Sequence, residues 1–425
     1  MSAPAVTFTT IANARLPRWL LGEAWPLQAG QPALASLALS DGEVASVTPM
    51  LGAAGAHTWD VKGAPVLPRL VDAHVHLDKT FTLPRMHHVQ PGLLGAIDAM
   101  ITDRLGWTAA DVHERASRGL QWAFEAGCVQ LRSHVDWWEP DSTPVAWNVL
   151  AALADEWKGR IRLEQVGLIK LTLFQDLAQA RQLAKKVAAT GPHALLGAFV
   201  HSVNWDENAL RNVFIAAAEW GLDVDLHVDE ELNPDAQGLA ATVRIVRETG
   251  FAGRVVCGHT CSLAVQPEKQ ALETLDAVAR APITMVCLPI TNLLLQDATT
   301  GRTPRSRGIT LLKEARARGI PVLIATDNVQ DPFCRIGSYD PVEAFTAGVL
   351  AAQLDQPFDV WSESLCRADW LQRAPDAAPA LAGKSADLIV FHAADAWGWP
   401  SRSAQRTVLR NGIPLASSPT ERPLP

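Results

Sequence analysis

No Cys-x-x-Cys pair and no dense cysteine framework occur in these 425 residues; six cysteines lie scattered at 128, 257, 261, 287, 334 and 366. That spacing excludes a disulfide-stapled scaffold and suits a reducing cytoplasm, where the protein is expected to reside. No unbroken apolar run approaches the ~20 residues of a membrane helix, so no membrane association is expected. The opening MSAPAVTFTTIANARLP lacks the basic flank and continuous apolar core of a signal peptide. Basic blocks are absent too: 37 Lys and Arg against 45 Asp and Glu leave a formal charge of −8. A nucleic-acid polymer is therefore an unexpected partner. What remains is 48% apolar and 19% charged, the composition of an ordinary globular protein with a sizeable core. The length allows one large α/β domain with an accessory domain, and a homo-oligomer is expected.

Short strands and turns fill the N-terminal stretch, with Asp41-Gly42 as a hairpin turn. Matching material closes the chain: ADLIVFHAADAW, then RTVLRNGIPLA with Asn411-Gly412 as a second turn. One small β-sandwich domain built from both ends is expected, from residues 1–63 and 376–425. Between them, over 64–375, strands alternate with helices. Strand candidates are 66–76, 128–137, 162–174, 193–201, 223–229, 254–260, 284–290 and 322–327. Helical stretches such as TAADVHERASRGLQWAFEAG, DLAQARQLAKKVAAT, NALRNVFIAAAEWG and GITLLKEARARG fill the intervals, each ending at or near Gly. Eight buried strands, with no Gly-rich nucleotide turn after the first, predict an α/β fold of the closed (β/α)8 TIM-type barrel kind.

The stretch VLPRLVDAHVHLDK, residues 66–79, carries the strongest chemical signal. Residues two apart on a strand share a face, so His74 and His76 present both imidazoles to one point. A bare His-x-His is more often a surface pair than half of a metal site. Here the other strand ends change the balance: His134 and Asp136, Phe174-Gln175, His201, His227-Val-Asp-Glu230, His259 and Asp327-Asn328. In a barrel of this kind function sits where strands end, and a purely structural barrel needs no such series.

With these motifs the chain resembles the amidohydrolase superfamily and, within it, the cytosine deaminase branch. The resemblance rests on His74-Val-His76-Leu-Asp-Lys, Phe174-Gln175, His227-Val-Asp-Glu230, Gly258-His259-Thr260 and Thr326-Asp327-Asn328-x-x-Asp331-Pro332-Phe333, with Leu288-Pro289-x-x-Asn292 beside them. It spans roughly residues 60–350 and implies a divalent metal, Zn2+ or Fe2+, held by His74, His76, His227 and Asp327. A metal lowers the pKa of its water toward neutrality and makes hydroxide available to attack an amidine carbon, releasing ammonia. Glu230, His259 and Asp327 are the expected catalytic groups: Asp327 accepts a proton, Glu230 shuttles it, and His259 supports the developing charge. Gln175, Asn328 and Phe333 are expected to bind the substrate, a small cytosine-like N-heterocycle, Gln175 reading its amide-like edge.

Two-metal relatives carry a bridging carboxylated lysine on strand four. HALLGAFVH has no lysine, so one metal is expected, and Lys170 on strand three reads as structural. The branch places a second Asp where Asn328 stands and Trp where Phe333 stands, and Lys79 occupies a variable position beside them. His134 and Asp136 read equally well as groups behind the metal ligands or as hydrogen-bonded strand ends; Cys257 and Cys261 read as packing. The H-x-E and P-C-x-x-C signature of the other zinc deaminases is absent. The alternatives are a same-fold hydrolase that removes a substituted amine from a triazine-like ring or opens a cyclic amide, and a non-catalytic metal-binding barrel. Glu230 argues against the last, since binding a metal needs no acid three residues past a ligand.

Overall fold

Eight parallel strands follow one another around a barrel in sequence order. They are β1 (Leu70–Val75), β2 (Cys128–Trp137), β3 (Arg162–Lys170), β4 (Ala194–Val200), β5 (Val224–Val228), β6 (Val255–His259), β7 (Ile283–Cys287) and β8 (Val322–Ile324). The computed structural model describes residues 8–50, 57–373 and 379–415. Six of the seven residues of β4, ALLGAFV, are buried, as expected of parallel strands covered on both faces. The ring closes between β8 and β1. Val75 bridges Asp327 in parallel, and the Asp327 amide donates to the His74 carbonyl at 2.9 Å. Just below, the fully buried Asp72 carboxylate accepts from the Thr326 amide at 3.0 Å and from the Thr326 hydroxyl at 2.6 Å. That clasp fixes the residue before Asp327 against the strand that carries His74.

Local sequence explains the helices between strands. Thr108 accepts from the Asp111 amide at 3.2 Å ahead of Ala109–Ala126, and Gly127 ends that helix at φ 107°. Asp176 and Asp206 cap Leu177–Ala188 and Glu207–Glu219 in the same way, at 2.7 and 3.0 Å. The GITLLKEARARG stretch gives less helix than its pattern predicts, only Leu312–Ala317. Gly308 at φ 75° and the β-branched Ile309-Thr310 pair lead into it in non-helical backbone, with Thr310 hydrogen-bonded to Thr260 at 2.7 Å.

Two further four-stranded sheets lie outside the barrel. One orders 43–49, 35–40, 10–14 and 58–60; the other orders 413–414, 406–410, 388–391 and 66–68. Their apolar faces share one cluster, including Ile11, Leu37, Val44, Val66, Leu388 and Leu409, so both chain ends contribute to one core. Both expected hairpin turns form: Asp41 and Gly42 take φ of 53° and 81°, Asn411 and Gly412 48° and 77°, the all-positive pattern of a type I′ turn. Within the 66–76 run, Val66–Pro68 pairs antiparallel with 388–391, and only from Leu70 does the chain enter the barrel.

A helix that the sequence pattern did not single out, α1 (Leu93–Asp103), packs on the strand ends. Leu93, Ala96 and Leu295 form a small apolar cluster with Ile97, Phe199 and Phe333 against it. Arg85 holds the far end of α1 through Asp103 at 2.8 Å. Among the described residues no helix is long and apolar enough to cross a membrane.

Candidate active site

Four buried donors converge at the C-terminal end of the barrel. His74 Nε2 lies 3.2 Å from His227 Nε2, which lies 3.3 Å from His76 Nε2. Asp327 Oδ1 is 3.2 Å from His76 Nε2 and 3.8 Å from His74 Nε2. Bonds of ~2.1 Å at tetrahedral angles set neighbouring ligands roughly 3.4 Å apart, so these spacings fit a single divalent cation. The chemistry agrees. Burial, reinforced for His74 and His227 by neighbouring imidazoles and for His76 by Lys79, pushes all three histidines well below their usual pKa. They are therefore neutral, as metal ligation requires. Neither Asp327 oxygen has a close hydrogen-bond partner. Orphaned buried polar atoms cost ~1–3 kcal/mol each, and a cation among these donors offsets part of that cost.

The backbone at this rim is strained. Asp229, His259 and Asp327 take φ of 50°, 69° and 65°, left-handed conformations of the sort that concentrate at functional sites. At Asp229 the reason is visible: its carboxylate accepts from the Gly238 and Leu239 amides at 3.0 and 2.9 Å, capping the next helix. Thus anchored, the chain aims Glu230 inward, and its carboxylate stands 3.3 Å from His259 Nδ1. Burial, with the Asp327 charge added, pushes the Glu230 carboxyl well above the ordinary range. His259 is pushed down to about 4, chiefly by burial, and its Nδ1 lies 3.1 Å from the Asn292 amide nitrogen. With that amide donating, the imidazole keeps its proton on Nε2, which has no protein partner.

Above this floor is a cavity of about 310 Å³. His76, His227, Glu230, His259, Asn328 and Phe333 line its inner part, and Leu93, Ile97 and Ile101 of α1 form an apolar wall. Asp331 holds the loop that supplies two of these groups. It accepts from Asn328 Nδ2 at 2.7 Å and from the Phe333 and Cys334 amides at 2.9 and 3.1 Å. Lys79 and Asp136 also line the cavity, 2.7 Å apart. Burial works against the Lys79 charge, but Asp136 and Asp78 outweigh it and hold the pKa above the usual lysine range.

Gln175, expected to read the substrate edge, does not reach the cavity. It is exposed, and its amide nitrogen donates to Asp206 at 3.0 Å. β3 ends at Lys170, and a 3-10 turn over Leu171–Phe174 carries the Phe-Gln pair past the rim. Phe174 then packs in the core and Gln175 faces outward. Lys170, read as structural, instead lines the cavity, with Nζ 4.2 Å from the Trp138 ring. His201 is turned away to a loop, accepting from the Val203 amide at 3.2 Å.

His134 stands behind the donors. Its ring stacks on His74 with centroids 3.8 Å apart, and its Nε2 is 3.7 Å from Asp225, which Arg132 holds at 2.9 Å. His74, His134 and His227 form a second trio of donor atoms within 4.8 Å. Stacked rings aim their lone pairs in near-parallel planes, however, so His134 fits packing against a ligand better than sharing its cation. The Asn292 contact and the His134 stack join residues far apart in the chain, and only the Leu288-Pro289-x-x-Asn292 motif hinted at the first.

Known proteins carry the same arrangement of elements. The 5-methylcytosine deaminase of Klebsiella pneumoniae superposes with a TM-score of 0.78 at 23% identity, covering 98% of this chain and 99% of that one. At 25% identity, the N-isopropylammelide isopropyl amidohydrolase of a Pseudomonas species aligns over 83% of this chain and 86% of its own. A pterin deaminase of Rhizobium rhizogenes is 37% identical over 420 residues, 97% of this chain and 94% of that protein. The model of the amidohydrolase family matches residues 170–362, from the end of β3 past the Asp327 loop. A relative this similar from end to end, together with that match, means that the chain belongs to the amidohydrolase family and is a hydrolytic enzyme acting on C–N bonds.

Proposed function

We propose that this enzyme is a metal-dependent hydrolytic deaminase of a small amino-substituted N-heterocycle, and that a pterin-like ring fits it better than the cytosine-like ring expected from the motifs. The observation that carries the reading is Glu230, buried beside His259 on the floor of a cavity, next to four convergent donors. A cavity of about 310 Å³ stands at the small end of ligand pockets, which suits one or two fused rings. The extensive identity to a pterin deaminase supports the two-ring choice.

His74, His76, His227 and Asp327 would hold the cation, zinc or iron, as suits an imidazole-rich set with one carboxylate. Bound there, it lowers the pKa of a water molecule and polarises the reacting carbon. Asp327 accepts a proton released from water. Glu230, whose carboxyl pKa is pushed upward by burial, gives a proton to the ring nitrogen next to the reacting carbon and then relays a proton to the departing amine. His259 directs its Nε2 proton toward the oxygen that gathers charge. Asn328 and Phe333 bound the ring. In net terms water adds across the amidine C=N, the exocyclic C–N bond breaks, and ammonia leaves as a ring carbonyl forms.

A second reading keeps the fold and chemistry but releases a substituted amine; the apolar wall of Leu93, Ile97 and Ile101 could hold an N-alkyl group. The test is product analysis with metal-loaded protein on pterin, 5-methylcytosine, isocytosine and N-isopropylammelide. Ammonia from pterin, abolished by chelation, is expected. Isopropylamine with no ammonia would favour the second reading, and no amine from any compound at full metal loading would reject both.

A further inference from the structure

The loss of Gln175 from the cavity leaves the substrate's polar edge without a reader, and one pair of side chains there has no role in the scheme above. Lys79 follows β1 and Asp136 lies near the end of β2. Their contact, Nζ to Oδ1 at 2.7 Å, is set into the same wall as His76 and Phe333. Lys79 is only 2% exposed, and its Nζ sits 5.1 Å from the Phe333 ring centroid. The backbone is pinned on both sides. Asp78 accepts from the Asp136 amide at 3.0 Å, and the Lys79 carbonyl accepts from Thr82 at 2.8 Å.

A buried ion pair is a poor stabilising device, since two apolar side chains of like volume often serve folding as well. This one keeps unused capacity. An ammonium group has three N–H donors and a carboxylate accepts at both oxygens. Among the described residues, the hydrogen bond between Nζ and Oδ1 is the only one that either charged group makes. A donor and an acceptor therefore stand side by side in the cavity wall, a short way from the metal donors.

We propose that Lys79 and Asp136 together read an H–N–C=O edge of the substrate ring, Lys79 donating to the carbonyl oxygen and Asp136 accepting from the adjacent N–H. The inference rests on the deaminase reading and narrows its substrate class to 2-amino-4-oxopyrimidine rings, alone or fused. In such a ring the N–H adjoins the amino-bearing carbon and the carbonyl follows it. Cytosine presents an unprotonated ring nitrogen at the first position, which sets a lone pair against the Asp136 carboxylate. A 2,4-diamino ring offers an amine to the Lys79 ammonium and a bare nitrogen to Asp136, so both contacts turn repulsive. Sites that hydrogen-bond a polar edge reject mismatched analogues strongly, because their own buried groups are left unpaired.

The test compares 2-amino-4-oxopteridine with 2,4-diaminopteridine, reading equilibrium binding to the metal-loaded protein as well as kcat/KM. The unsubstituted protein is expected to prefer the oxo compound by ~10³-fold or more. Lys79→Met alone strands Asp136, so the decisive variant is the double substitution Lys79→Met with Asp136→Leu. It should keep its metal, lose most of its binding to the oxo compound and bring the two affinities within about tenfold. Asp136→Asn, which still accepts through its amide oxygen, should retain more of the preference than the double variant. A double variant that binds metal and still discriminates as the parent does would overturn the proposal. Failure of the parent to release ammonia from either compound would instead count against the deaminase reading, because binding discrimination is measured apart from turnover.

Discussion

A methyl group placed on Gly258 would lie 3.0 Å from Cε1 and Nδ1 of the His74 ring. The β6 backbone is thus a wall against one side of that imidazole, while His134 stacks on it at 3.8 Å. Between the two, His74 has little freedom to turn, and its Nε2 stays aimed at His227 and Asp327.

Gly258→Ala should therefore weaken metal binding without removing a ligand. Disturbing groups that orient metal ligands commonly costs 10–100-fold in affinity, and a loss in that range is expected by chelator competition. Unchanged affinity would mean that His74 can shift and that the close approach is incidental.

One tightly held divalent ion per chain is expected, since the four donors crowd around one point and β4 carries no lysine. His76→Ala removes one of the four donors and half of the His-x-His pair, so the ion should be held much more weakly. Elemental analysis should find about one equivalent in the parent protein and most of it gone from the variant. Two equivalents in active protein would refute the single-ion arrangement.

Glu230→Gln preserves shape and hydrogen bonding but cannot carry a proton. Loss of a general acid–base group costs ~10²–10⁴-fold in rate, and kcat should fall by that much at full metal occupancy. Near-parental turnover would remove Glu230 from the chemistry.

The convergence of His74, His76, His227 and Asp327 was readable in the sequence because each sits at the end of a strand whose apolar run is easily recognised, and strand ends face the site in any such barrel. His227 and Glu230 lie on one short turn, so reading one located the other. Gln175 misled for a local reason: the apolar run 162–174 hides the point at Lys170 where strand gives way to a 3-10 turn. α1 escaped because GLLGAIDAMITD carries no motif, and nothing local says which face of it closes a cavity. The partnership of Lys79 with Asp136 joins residues 57 positions apart. No periodicity reports such a contact; it appears only once β1 and β2 lie side by side.

Asn328 joins the cavity wall to the Asp331 loop. One Nδ2 proton is committed to Asp331 at 2.7 Å, which leaves the amide oxygen and the second N–H to meet a substrate. Asn328→Asp places a second carboxyl against Asp331, whose own pKa burial already pushes up to about 7. Two carboxyls at that distance share one proton, and the upper pKa of the pair rises further. Below that value the shared proton replaces the lost hydrogen bond and the loop keeps its form. Above it both groups ionise and repel, and Phe333, tied to the same Asp331, loses its support. Relative to the parent, kcat/KM of the variant should thus decline as pH climbs through that raised value, above the parental value of about 7. At lower pH the charge added near the metal should re-rank substrates in favour of those presenting an amine to it. Kinetics on cytosine, isocytosine and an aminated bicycle, each measured from pH ~6 to ~9 to bracket that pKa, decide the matter. If the variant scales all three rates by one factor, independent of pH, Asn328 neither reads the ring nor couples to Asp331, and the ring must lie elsewhere in the cavity.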